Sequence, residues 1–249
     1  MFSAHIPDNR TKGWLIIMET NLSPHKQKIK DFYTKYRHGI PLLLYMTLFL
    51  AGFAWLEKAN REDFYVIHMD VDDVIPFLEV FVVPYFLWFA YVSGVVVFLF
   101  LKNKQEYYRV CIFLFTGMTI FLLISALWPN GHHLRPAEMP RDNIFTQMVS
   151  LLWKTDTPTN LWPSIHVYNS LGVHFALVRS AELKGRRGIK AASLVLALSI
   201  ILSTLFIKQH SMFDVLTGIA LSAVMYALVY RRDAIFSSRL RPMKERISV

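Results

Sequence analysis

Residues 81–101 read FVVPYFLWFAYVSGVVVFLFL, an apolar run without a single charged side chain. A helix that crosses the hydrocarbon core of a bilayer needs about 20 such residues, so this stretch predicts a membrane span. A second run, YRVCIFLFTGMTIFLLISALW, fills residues 108–128. Further spans are expected at 39–57, 164–182, 189–209 and 211–230. In lipid every backbone amide must be satisfied within the segment, which favours helices. The expected fold is therefore an all-α integral membrane protein, a six-transmembrane-helix bundle. The composition agrees: the 249-residue chain is 54% hydrophobic with a mean hydropathy of +0.34. Residues 14–18 are too short for a signal-peptide core, so the first span is expected to direct insertion. The single Cys111 excludes an internal disulfide and a cysteine-built metal site.

Charge orders the spans. Lys26, Lys28, Lys30, Lys35 and Arg37 precede the first, together with Arg10 and Lys12. The following loop is acidic, with Glu62, Asp63, Asp70, Asp72 and Asp73. Basic residues return at Lys102, Lys104 and Arg109, at Lys184, Arg186, Arg187 and Lys190, and in the tail from Arg231 to Arg246. Lys and Arg collect on the cytoplasmic side. Both termini are thus expected in the cytoplasm, with a basic segment at 1–38, a catalytic membrane domain at 39–230 and a basic tail at 231–249. The same distribution accounts for the net charge of +9 without nucleic acid as a partner. Trp128, Trp153 and Trp162 fit the outer interfacial belt.

This topology brings three separated features to the extracytoplasmic face: the loop 129–163, His166 at the start of span four, and His210 between spans five and six. His210 and Asp214 are four apart and share a helix face if span six begins near His210. A carboxylate there can fix one imidazole nitrogen and leave the other free to attack phosphorus. An aspartate in an apolar span costs roughly 2.5–3.5 kcal/mol, so it is a functional candidate; the alternative is a buried pair that only ties helices together. His166 follows Pro163 and Ser164, and proline at a first helical position marks a helix start. Free amides at a helix start attract phosphate, and a histidine in the first turn can protonate a leaving alkoxide. Arg135 offers a rigid fork for phosphate oxygens, and Lys208 adds a second cation.

Arg135-Pro136, Pro163-Ser164-Ile165-His166 and His210-x3-Asp214 resemble the three signature motifs of the membrane phosphatidic acid phosphatase type 2 superfamily. The resemblance covers residues 80–230. It implies His210 as nucleophile, Asp214 as its orienting partner, His166 as general acid, and Arg135 and Ser164 as phosphate ligands, with no metal and no cofactor. Two family cations are absent: Trp128 stands at the lysine position and Thr204 at an arginine position. Lys208, His132 or His133 are the candidate substitutes. Their loss makes the sequence similar to the branch containing inositol phosphorylceramide synthases. The expected function is a metal-independent lipid phosphate phosphatase in the plasma membrane, acting on the outer leaflet through a phosphohistidine. A head-group phosphotransferase with the same site is the alternative, and a non-catalytic lipid-binding or transport relative the third reading.

Four smaller expectations complete the reading. Asp70-Val71-Asp72-Asp73-Val74 fits the Asp-x-Asp-x-Thr/Val string of the haloacid dehalogenase phosphatases but is read as a plain acidic loop. His174 is expected to be a satisfied interior histidine. Ile144, Phe145, Met148, Leu151 and Leu152 share a helical face, which suggests a short helix in the outer interface. Sequons at Asn9 and Asn21 fall in the cytoplasmic segment.

Overall fold

The computed structural model describes residues 24–59 and 63–231. The sequons, Trp14–Met18, Arg10, Lys12, Glu62 and the tail beyond Arg231 lie outside the described residues. The chain divides into two compact units, Met1–Leu44 and Tyr45–Val249. In the first, α1 (Pro24–Tyr36) is largely polar, with Phe32 against Tyr36, and a 3-10 turn at Arg37–Gly39 leads into α2 (Ile40–Lys58).

Among its described residues the second unit is helical apart from one short strand pair. β1 (Tyr65–Val66) and α3 (Asp70–Val74) lead to α4 (Val82–Lys102) and α5 (Lys104–Leu127). β2 (Asn130–Gly131) pairs in parallel with β1. There follow α6 (Ile144–Thr155), α7 (Ile165–Arg179), α8 (Arg187–Phe206) and α9 (Met212–Tyr226), with a π-helical turn at Ala227–Arg231. Among the described residues five helical stretches are long and apolar enough to cross a membrane: His25–Lys58, Glu79–Lys102, Lys104–Leu127, Arg187–Phe206 and Met212–Tyr230.

The fourth expected span is different. It is α7, only 15 residues long, which at 1.5 Å per residue reaches roughly 22 Å against a core of about 30 Å. Its sequence is polar for a span because lipid is not its solvent. α7 packs against α4, α5, α8 and α9, and His166, Asn169, Ser170 and His174 are all buried. Close approach makes this possible. At Gly117 of α5 the Tyr168 ring occupies the space a Cβ would take, and the Tyr168 hydroxyl donates to the Phe113 carbonyl at 2.6 Å. His174 meets Ser193 Oγ at 2.9 Å, as expected of an interior histidine.

Buried polar anchors fix the loops at one end of the bundle. The Asn130 side chain accepts from the amides of Leu161 and Trp162 at 2.9 and 3.0 Å, holding the entry to α7. Glu79 receives Arg141 through two nitrogens and Asn143 through one, tying the 132–143 loop to the start of α4. α6 divides its apolar residues. Phe145, Met148 and Leu152 pack with Val82, Tyr85 and Ile207, while Ile144 and Leu151 point outward. The single apolar face expected for this helix is thus split between core and surface.

Candidate functional site

The site grows from the N-terminus of α9. Helix starts leave backbone amides without intrahelical acceptors. Here Ser211 is the N-cap, and Asp214, three residues on, closes a capping box by accepting from the Ser211 amide at 3.0 Å. The same carboxylate oxygen faces His210 Nδ1 at 3.3 Å. His210 therefore lies two residues before the helix begins, yet it still reaches Asp214. The turn that places it bends sharply: the Gln209 and His210 amides both donate to the Thr204 carbonyl, and Lys208 takes a left-handed φ of 53°. That conformation is uncommon for a residue with a Cβ and costs of order 1–3 kcal/mol.

His210 Nε2 faces His166 Nδ1 at 3.4 Å. The His166 ring packs against both Tyr85 and Trp88, at centroid distances of 4.6 and 4.5 Å. The helix start at His166 is shifted from expectation. Ser164 is the N-cap and Ile165 the first helical residue, so Pro163 precedes the cap rather than opening the helix. The Ser164 hydroxyl is fully buried and accepts from the Val167 amide at 3.4 Å. Its hydroxyl is thus engaged in capping, while Ser164 N donates to the Asp214 carbonyl and joins the two helix starts.

Arg135 reaches this cluster through intermediaries. Its guanidinium donates to the main-chain carbonyls of Trp153 and Asp156 and to Gln209 Oε1, and it lies 5.3 Å over the Trp153 ring. Gln209 then passes its amide to Asp156 Oδ2 at 2.9 Å, and the Tyr85 hydroxyl donates to the same oxygen at 3.3 Å. Burial, reinforced by Glu57, pushes the Asp156 carboxyl above its usual range, against the pull of His210 and Arg135.

The candidate substitutes for the absent cations lie elsewhere or carry no charge. Lys208 turns its ammonium to the carbonyls of Asp72 and Ile75, at 2.9 and 2.6 Å. His132 is fully buried, its Nδ1 accepts from the Leu134 amide, and burial pushes it down to about 3. His133 packs against the Phe64 ring. Thr204 hydrogen-bonds within its own helix, and Trp128 is exposed. Of the expected interfacial tryptophans, Trp153 donates to the Ile207 carbonyl and Trp162 packs on Phe213.

Asp72 corrects the reading of its loop as plainly acidic. It is 2% exposed, and its carboxylate accepts from Ser211 Oγ at 2.5 Å, the Met212 amide at 2.8 Å and the Met69 amide at 2.9 Å. An anion at a helix N-terminus complements both its free amides and its dipole. Asp72 and Lys208 together clamp the His210 turn from α3. Spacing alone does not reveal this, because the partners are separated by 139 positions. Asp156 and Tyr85 were missed for the same reason.

A cavity of about 330 Å³ opens onto the two histidines. Phe49, Phe53, Tyr85, Trp88, Phe89 and Phe121 supply aromatic walls, and Asp156, Asn160, His166 and His210 make a polar end. That combination of apolar wall and few convergent polar groups is typical of small-molecule sites.

Residues 134–235 match the family model of the PAP2 superfamily. The matched segment contains Arg135, Ser164, His166, Lys208, His210 and Asp214. Members of that superfamily are typically phosphatases or phosphotransferases. The match is to the superfamily as a whole and lends no support to the narrower likeness to inositol phosphorylceramide synthases. No curated protein and no solved structure matches the chain.

Proposed function

We propose that this protein is a metal-independent lipid phosphate phosphatase that works through a phosphohistidine at His210, on the extracytoplasmic side of the plasma membrane. One observation carries the reading: His210 has one nitrogen on the Asp214 carboxylate and the other turned to His166 and an aromatic-walled cavity. Asp214 holds the proton on Nδ1 and leaves the Nε2 lone pair free. Nε2 attacks phosphorus, the P–O bond to the lipid alcohol breaks, and protonated His166 gives its proton to the departing alkoxide. Water then loses a proton to His166 and attacks the phosphohistidine, releasing phosphate and restoring both histidines.

The geometry adds a requirement. In-line attack places phosphorus and the leaving oxygen between the two rings, a nitrogen separation of roughly 7 Å for near-attack and hydrogen-bond distances. At 3.4 Å the rings are closed against each other, so turnover needs the two histidines to separate. Arg135, through the guanidinium now held by Gln209, is the residue assigned to the phosphate oxygens. The Ile165 and His166 amides at the start of α7 are assigned alongside it.

A second reading, transfer of a phosphorylated head group to an alcohol, draws support from the charge count. Arg135 is the sole fixed cation assigned to phosphate, which suits a singly charged diester better than a dianion. The test is trapping with lipid labelled at phosphorus. Wild type should carry acid-labile label, and His210→Ala should carry none and release no diacylglycerol. Full turnover by His210→Ala would falsify the covalent mechanism.

A further inference from the structure

A carboxylate beside a phosphate site needs a physical reason, because like charges repel. Asp156 is such a group. It lines the cavity that holds both histidines. Arg135 attracts it through space but makes no hydrogen bond to its side chain, since the guanidinium donates to its main-chain carbonyl. Gln209 and Tyr85 both bond to Oδ2, which fixes the carboxylate and leaves Oδ1 without a protein donor among the described residues. Glu57 adds a second negative charge to the same end. It accepts from Thr157 and Asn160, and Asn160 is itself a wall of the cavity. Aromatic faces complete the surroundings, and such faces attract cations.

We propose that this end of the cavity receives an ammonium group, so that the substrate is a zwitterionic phospholipid rather than a bare phosphate monoester. The proposal rests on phosphoryl transfer at His210 in the second form given above, transfer of a phosphorylated head group, and takes that form over release of bare phosphate. The phosphate would lie between His210 and Arg135, and the ammonium of its head group would donate to Asp156 Oδ1. The bond broken is still the one between phosphorus and the lipid alcohol. His210 then carries a phosphorus that keeps its head group, and diacylglycerol leaves with the proton of His166. Water or an alcohol takes up the phosphorylated head group in the second step.

The experiment follows diacylglycerol release by the full-length protein in mixed micelles. Four lipids with the same acyl chains are compared: phosphatidylethanolamine, phosphatidylcholine, phosphatidylglycerol and phosphatidic acid. A hydrogen bond to a charged partner is worth about 10- to 100-fold. Wild type should therefore show kcat/KM for phosphatidylethanolamine at least about tenfold above that for phosphatidylglycerol. Phosphatidylcholine, cationic but without N–H donors, should fall between them. Asp156→Asn should remove the preference, bringing the kcat/KM ratio of phosphatidylethanolamine to phosphatidylglycerol to about one, whatever happens to the absolute rates. Glu57→Gln, which leaves Asp156 in place, should weaken the preference several-fold. A wild type that favours phosphatidic acid or phosphatidylglycerol overturns the proposal, as does an Asp156→Asn variant that slows all four lipids alike. Failure of the underlying mechanism looks different: no lipid would then leave acid-labile label on wild type.

Discussion

Replacing Asp72 with alanine removes the acceptor for the Ser211 hydroxyl and for the Met212 and Met69 amides. It also strips the negative charge that faces the buried Lys208 ammonium. Each hydrogen bond to a charged group is worth about 1.5–3 kcal/mol, but three bonds on one carboxylate do not add independently. Breaking one partner out of a buried charged cluster costs about 3–5 kcal/mol, and that range is expected here. For a domain of this size it corresponds to roughly 10 °C in Tm. The kinetic effect follows from position. Ser211 is the residue between His210 and the start of α9, and its amide is one of the two groups that fix Asp214 Oδ2. A displacement of about 1 Å at the nucleophile costs on the order of 100-fold in rate, so kcat should fall about that much with KM little changed. Asp72→Asn keeps an oxygen for the Met212 amide but turns an NH2 toward another donor, so it should lose about 1–3 kcal/mol. Tryptophan fluorescence during heating and diacylglycerol release measure the two effects. Wild-type Tm and kcat in the alanine variant would show that the clamp does not hold the nucleophile.

Other expectations follow from particular contacts. His132 is held neutral, at about 3 rather than 6.5; because its folded value is depressed, the unfolded chain binds a proton below pH 6.5 that the folded chain does not. Stability should then drop by about 2 kcal/mol between pH 6.5 and 5, and His132→Asn, which keeps an acceptor for the Leu134 amide, should flatten that dependence in thermal melts. Lys208→Met should lower Tm and leave KM within a few-fold, since the ammonium holds the 72–75 carbonyls; a tenfold rise in KM at unchanged Tm would return Lys208 to the phosphate. His166→Ala should slow cleavage of a natural lipid by about 10²–10⁴-fold and spare a nitrophenyl phosphate, whose leaving group needs no proton. Equal losses on both substrates would make His166 a phosphate ligand instead.

Sequence legibility followed length scale. The long apolar runs at 81–101 and 108–128 are visible because lipid demands them, and they appear within a few residues as Val82–Lys102 and Lys104–Leu127. α7 was legible as a helix but not as a short one, since its solvent is other helices and hydropathy carries little information about an enclosed segment. The His-x3-Asp pair was readable because it is local: the two residues are four apart, and the turn that joins them is closed by the Ser211–Asp214 capping box. Lys208 was misleading for a related reason. Adjacency to His210 suggested a shared role, but a left-handed φ turns the chain there, and neighbouring side chains diverge. Asp72, Asp156 and Asn130 act across gaps of 31 to 139 positions, and a single chain holds no local pattern for such pairings.

These distant contacts explain how a loop-built site can be rigid. Catalytic groups on connecting segments usually need a scaffold to position them, and here each segment is fixed by a different buried polar side chain. Asn130 holds the entry to α7 and so His166. Asp72 holds the start of α9 and so His210. Glu79 holds the 132–143 loop and so Arg135. The three anchors are chemically independent, and none of them bonds to either of the paired histidines. Mutations at two of them should therefore combine nearly additively in stability, as expected for separate sites. Their effects on rate should not, because both act on the single distance between His210 and His166. A double variant at Asn130 and Asp72 whose rate loss equals the product of the single losses would mean that the two histidines are positioned separately, and that the anchors do not act through the spacing of the pair.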